Sequence, residues 1–293
     1  MPVKDVTARC LANEWHRLLE RGGHHRRTKE PRALSAKTVR NIAGTLSSAF
    51  ARAIGWGLVT VNPVAQSQPP IPRKKKGIAL TPSQQTLLID AASGCWCIRP
   101  FLEVEASTGA RRGEVLAFRW VDLDRDKVII SRSLSQTRSG LTFKGTKNGK
   151  ERAITLPVSA LAALDVHRKA QAEFRQQFGP DYRTDLDLIF ANPDGTPLKP
   201  DSISASVSAL FKRLKIPKPK GASLHLLRHS HGSHLLASGM ELPAVSERLG
   251  HSSVMVTAEV YSHMLSGRDE ESARRWEEFQ KKNTEDSAAA KIV

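Results

Sequence analysis

Apolar residues recur at helical spacing over most of the chain and alternate over one short middle region. Leu11, Trp15 and Leu18 predict a helix over 6–19. A basic, glycine-bearing loop follows over 21–32. Ser35 caps a second helix whose expected stripe is Val39, Ile42, Leu46, Phe50 and Ile54, ended by Gly55 or Gly57; Asn62-Pro63 blocks further helix. Thr81-Pro82-Ser83-Gln84 is a capping box with proline at the first helical position. It opens helices expected over 82–93, 99–107 and 112–119. Strands are expected over 127–134, 141–147 and 151–156, the last two joined by an Asn148-Gly149 hairpin turn. A long helix over 157–177 turns Leu161, Leu164 and Ala172 inward. A short strand at Ile189-Phe190 precedes a Pro193-Asp-Gly turn, and Asp201 caps a helix bearing Val207, Leu210, Phe211 and Leu214. Ser223 caps the next helix, which stops at Gly239. Leu242 to Leu249 forms a short one ended by Gly250, and a third carries Tyr261. From Gly267 the tail reads as a charged helix with a narrow strip of Ala273, Trp276 and Phe279. The fold class is mainly α with a small antiparallel β-sheet, α+β.

Length and charge then narrow the partner. The 293 residues suffice for two cores, and breaks in pattern divide them at 1–68, a linker at 69–79, 80–266 and a tail at 267–293. Lys and Arg exceed Asp and Glu by 45 to 29, a net +16, which points to a polyanion, most simply nucleic acid. The linker run Arg73-Lys74-Lys75-Lys76 is a solvated segment by its charge alone. No stretch has the ~18 apolar residues of a membrane span, no apolar signal core opens the chain, and three cysteines make no disulfide framework. The expected setting is the cytoplasm.

Two stretches carry chemistry. Thr108-Gly109-Ala110-Arg111-Arg112-Gly113-Glu114 is a turn before a helix, which places Arg111 where backbone N–H groups also favour an anion. His225 and Arg228 stand at i, i+3 on one helix face, His251 follows a tight turn, and Tyr261 lies on the next helix. Arginine offers a planar fork to phosphate oxygens, histidine carries a proton near neutral pH, and tyrosine is a nucleophile: a phosphodiester site. His225 and His229 at i, i+4 have metal spacing, but no Glu completes an H-E-x-x-H pattern. No metal is expected, and no P-loop pattern calls for a nucleotide.

His225-Leu-Leu-Arg228, Leu249-Gly250-His251-Ser252-Ser253, Thr257 and Tyr261-Ser-His resemble the second conserved box of the tyrosine recombinases, the phage integrase family. Thr108 to Glu114, continuing through Leu116, Trp120 and Asp122, resembles the first box, T-G-x-R-x-x-E. Leu34-Ser-x-Lys-Thr, Ala53, Gly57 and Asn62-Pro63 resemble the end of that family's helical core-binding domain.

The resemblance implies a site-specific DNA recombinase with no cofactor, a core-type DNA-binding domain at 1–68 and a catalytic domain at 80–266. It implies that Arg111 and Arg228 bind the scissile phosphate, with Glu114 in support. Tyr261 attacks, His225 and His251 assist, and Lys147 protonates the leaving oxygen, with Lys144 and Lys150 as rivals for that lysine. Between two DNA-binding halves, Arg73 to Lys76 would lie along phosphates. The implied partners are double-stranded DNA, a homotetramer on DNA joined through the tail, and an accessory directionality protein; the implied place is a bacterial or phage-bearing nucleoid. Many phage-type members carry an arm-binding domain ahead of the core-binding helices; with its core-binding helices close to Met1, this sequence is expected to be a compact member or an integrase that has lost that domain. The alternatives are a type IB topoisomerase and a non-catalytic DNA-binding derivative.

Overall fold

The computed structural model describes residues 2–25, 28–73, 78–146, 149, 151–219, 224–265 and 269–289. The chain divides into two compact units, Met1–Lys75 and Lys76–Val293.

In the first unit, α1 (Ala8–Arg21) starts on the Thr7 hydroxyl, which accepts from the Cys10 N–H. The short strands β1 (Gly23–His24) and β2 (Pro31–Arg32) pair antiparallel across the basic loop. Ser35 caps α2 (Ala36–Gly55). Its buried face is Val39, Ala43, Phe50 and Ala53, with Leu46 partly buried, while Ile42 and Ile54 are exposed. The stripe thus takes in the small Ala43 and Ala53 and leaves out Ile42 and Ile54. Asn62-Pro63 does not stop helix formation: the Asn62 side chain caps a one-turn α3 (Pro63–Gln66). The Trp15 indole N–H donates to the Ser67 hydroxyl at 2.9 Å, which ties α1 to the end of α3.

The second unit opens on α4 (Pro82–Asp90), with both bonds of the Thr81/Gln84 capping box made. α5 (Ile98–Thr108) follows, then α6 (Arg112–Val115), a single turn where a helix to 119 is expected. The chain tightens there into i→i+3 bonds, Ala117 N–H to Glu114 O and Phe118 N–H to Val115 O, that turn Leu116 and Phe118 into the core. The β region also departs from expectation. One strand over 127–134 is in fact two, β4 (Lys127–Ile130) and β5 (Arg132–Thr137). β4 lies between β3 (Leu123–Asp124) and β7 (Arg152–Thr155), whereas β5 pairs with β6 (Gly140–Gly145). The strands on either side of Asn148-Gly149 therefore pair with β5 and β4, not with each other.

α7 (Val158–Phe178) buries Ala160, Leu164, His167 and Gln171; Ala172 is exposed. Polar residues hold those inner positions because they bond the backbone beside them. The His167 ring bonds Ile189 O at 2.7 Å, and the Gln171 amide donates to Leu188 O at 3.0 Å. Ile189-Phe190 lies between two isolated bridges, Arg119–Leu188 and Ala191–Pro197, rather than in a strand. α8 (Pro200–Arg213) is entered through Lys199, with Asp201 in its first turn and not at its cap. α9 (Leu224–Ala237), α10 (Leu242–Leu249) and α11 (Val254–Leu265) pack on one another, and α12 (Asp269–Ala289) follows. On α12 the side chains of Trp276 and Phe279 are exposed.

α9 joins two apolar clusters. Leu224, Leu226 and Leu227 enter the main core with Phe101, Leu116, Ile154 and Phe190. Leu236 enters a second with Val245, Leu249 and Tyr261. Arg228 lies on α9 between them. Among the described residues no helix is long and apolar enough to cross a membrane.

Candidate active site

The site forms where the C-terminus of α5, the turn α6, the strand β7 and the helices α9 to α11 meet. Arg111 precedes α6 and closes on Glu114: its backbone N–H donates to Glu114 Oε2 at 2.9 Å and its Nη1 to Oε1 at 2.8 Å. Its Nη2 donates to Gly250 O at 2.9 Å. The dipole expected behind Arg111 is therefore slight, since α6 is one turn long and Glu114 already takes the first N–H. Arg111 still presents its guanidinium, with 41% of the side chain exposed, while Glu114 is at 5%.

Arg228 is nearly fully buried, and its Nη1 donates to Gly109 O at 2.7 Å. Burial, then the charge of Arg111, brings its pKa down to about 10, so it stays a cation at neutral pH. Glu114 is the counter-charge. Burial pushes its carboxyl up, but the bonds from Arg152 and Arg111 outweigh that and hold it below the usual carboxylate range. Arg111, Arg228 and His225 line a cleft of ≈ 580 Å³ together with Arg112, Ser133 and Glu105. Arg112 is committed elsewhere in that wall, donating to Pro200 O at 3.0 Å and the Ser204 hydroxyl at 2.6 Å. Both adjacent arginines line the cleft, and Arg111 is the one bound to Glu114.

Both histidines are neutral at pH 7. His225 is exposed on its outer edge; the loss of water on its inner side, then the charges of Arg228 and Arg111, lower its pKa. His251 goes down to about 4 through burial, then the same two arginines, and its Nδ1 lies 2.7 Å from the Thr257 hydroxyl.

Tyr261 is 2% exposed and packs with Leu236, Val245 and Leu249. Its ring lies parallel to that of His229, 4.9 Å away and tilted by 8°. The hydroxyl rests against Gly232, where a Cβ would come within 2.2 Å of it. Burial pushes the phenol up to about 12, with Arg228 pulling the other way. Gly232→Ala must therefore displace the ring. We expect overpacking to cost about 1–3 kcal/mol and the phenol to ionise nearer its ordinary value. An absorbance titration checks this, with Tyr182 as the internal second tyrosine.

The structure thus brings together Arg111, Glu114, His225, Arg228 and His251, with Tyr261 in the adjoining layer. Lys147, Lys74, Lys75 and Lys76 lie outside the described residues, and Arg73 is exposed. Among the described residues no group of His, Cys, Asp and Glu is placed to hold a metal. One residue of the site was missed in the sequence. Arg152, on β7, donates Nη2 to Glu114 Oε2 at 2.6 Å. Its signal was strand alternation, which puts position 152 on the same face as the buried Ile154.

Fold and pocket define a class: a mainly helical unit that presents two arginines and neutral histidines to an anion beside a buried tyrosine. Comparison with known proteins gives the same class. The phage integrase family matches residues 79–268. A tyrosine recombinase XerC-like protein of Caldanaerobacter subterraneus subsp. tengcongensis is 25% identical over 79% of this chain and 63% of its own length. The ICEBs1 integrase of Bacillus subtilis is 29% identical over 94% of this chain and 72% of its own. Among solved structures, the Tn1549 transposon integrase in complex with a circular intermediate DNA superposes with a TM-score of 0.74 at 21% identity, covering 95% of this chain and 87% of that one. A lambda integrase dimer bound to a COC′ core site gives 0.61 at 20% identity, covering 89% and 81%. The chain belongs to the phage integrase family, the tyrosine recombinases.

Proposed function

We propose that the chain is a site-specific DNA recombinase that cleaves and rejoins DNA through a 3′-phosphotyrosyl intermediate. The observation that carries this is the buried Arg228 guanidinium beside Arg111, both on one cleft and next to the layer that holds Tyr261. The two arginines bind the non-bridging oxygens of the scissile phosphate and stabilise the charge that builds there in the transition state. Tyr261 Oη attacks phosphorus, and its proton passes to His225, a base because it is neutral at working pH. The bond from phosphorus to the 5′-oxygen breaks, and Lys147 supplies the proton that leaves a 5′-hydroxyl. His251 adds a hydrogen bond to the phosphate, and Glu114 keeps Arg111 in place. The bond energy stays in the phosphotyrosine, so rejoining is the reverse attack and needs no cofactor. Tyr261 begins buried against Gly232, so α11 has to move before the hydroxyl reaches the phosphate. A nicked suicide substrate that traps a denaturation-resistant protein–DNA adduct tests the proposal. Relaxation of supercoiled DNA lacking a target site would indicate a topoisomerase instead.

The partner is double-stranded DNA. The first unit grips it as a core-type domain, and Arg73, Lys74, Lys75 and Lys76 run along its phosphates. The setting is the nucleoid of a bacterium or of a phage host, with an accessory protein that sets direction. Four copies assemble on the DNA. α12, with Trp276 and Phe279 outward, joins one copy to the next. Removing residues 267–293 is expected to keep single-site binding and abolish the four-copy synapse in a gel-shift assay. Normal synapsis by the truncated chain would make the tail a bystander.

A further inference from the structure

Arg152 is bound to the site yet closed off from the cleft. It donates Nη2 to Glu114 Oε2 at 2.6 Å and Nη1 to Oε1 at 3.3 Å. Only 15% of its side chain is exposed, against 41% for Arg111. Glu114 is thus shared between two guanidinium groups, one inside and one facing the cleft. On its other side Arg152 meets the turn that leads to His251. Gly250 has φ +65°, and a Cβ there would lie 2.7 Å from Arg152 Cζ and Nη1. Gly250 also gives its carbonyl to Arg111. The residue therefore spans the two halves of the site, touching the carboxylate that steadies Arg111 and the backbone that carries His251.

We infer that Arg152 is a positioning residue for the phosphate clamp: it fixes Glu114 and the Gly250 turn so that Arg111 keeps its guanidinium toward the cleft. The inference rests on the recombinase reading above. Without Arg152, the full charge of Glu114 is free to draw Arg111 inward, and the Gly250 turn loses the guanidinium it packs on. A charge-assisted bond to a buried carboxylate sets the scale of the loss. Arg152→Met keeps length and apolar packing but removes both bonds. It should slow single-turnover cleavage on the order of 10- to 100-fold while leaving DNA affinity nearly unchanged. Arg152→Lys, which keeps the charge but not the fork, should lose about 10-fold; it covers the case in which the Met variant does not fold.

The test uses two suicide substrates, one natural and one with a methylphosphonate at the scissile position. In the second the scissile linkage carries no negative charge, so a defect in charge neutralisation there is relieved. Arg111→Ala is the control, expected to be far slower than wild type on phosphate and much less so on methylphosphonate. The Arg152 variants are expected to show the same relief, which a merely structural defect would not. Relief for Arg111→Ala without relief for either Arg152 variant overturns the inference and leaves the clamp standing. No relief for Arg111→Ala overturns the clamp itself, and the inference with it. Wild-type cleavage rates from both Arg152 variants would also overturn it.

Discussion

Tyr261→Phe is expected to bind target DNA as the native chain does and to form no covalent adduct. Only one oxygen is removed, so the ring keeps its stacking on His229 and its packing against Leu236, Val245 and Leu249. Stability should change little. Cleavage should fall below detection, because no other group replaces an attacking nucleophile. The other tyrosine is Tyr182, which follows the Gly179–Asp181 turn and packs against Gly195. It lines a different cleft, with Trp120 and Arg168, and none of the paired arginines of the site. A suicide substrate with the Phe variant, resolved on a denaturing gel, decides the matter. An adduct that persists moves the nucleophile away from position 261, and Tyr182→Phe is then the variant to make.

Local chemistry was the part of this molecule most open to reading in advance. The Thr81/Gln84 box, the Ser35 cap and the left-handed Gly250 at the end of α10 each depend on a few neighbouring residues, and each stands where the pattern places it. Pairing between distant segments was not open in the same way. Val128, Ile130 and Leu134 keep one parity, so 127–134 reads as a single strand. The change of partner between Ile130 and Arg132 is set by β7 and β6, which lie elsewhere in the chain. Burial of polar groups was hidden for the same reason. His167 and Gln171 take inner positions on α7 because the carbonyls of Ile189 and Leu188 need donors, a need visible only once the chain has folded. In the site, Arg111, Glu114, His225, Arg228 and His251 stood out by their resemblance to the two boxes of the tyrosine recombinases. Arg152 did not, since a lone arginine after a basic turn looks solvated until Glu114 is placed beside it. That Tyr261 lies inward against Gly232 was equally hidden, because a helical tyrosine reads alike whichever way it turns.

Arg228→Lys should slow cleavage severely without abolishing it, although the charge is conserved. Arg228 spends one nitrogen on Gly109 O at 2.7 Å and is otherwise enclosed, next to Arg111 in the cleft wall. Its planar fork can hold that carbonyl and a phosphate oxygen at once. A lysine ammonium is a single point on a flexible stem and satisfies one of them at a time. If it stays on the carbonyl, the phosphate loses a donor; if it swings to the phosphate, a buried carbonyl is left unpaired. Losing one preorganised donor to a developing charge is worth roughly 10²- to 10³-fold in rate, and that is the expected fall in single-turnover cleavage. DNA affinity should hold, since many other phosphate contacts carry it. A second signature follows from burial. It already lowers Arg228 to about 10, and a lysine, which gives up its proton more readily, is driven down further. Relative to the native chain, the residual cleavage of the variant should therefore rise as pH falls from 9 to 7, where the amine regains its proton. The native chain keeps Arg228 charged over most of that range. Cleavage by the lysine variant within a few-fold of native, with a parallel pH profile, would show Arg228 to be a strut for the Gly109 turn and no part of the phosphate clamp.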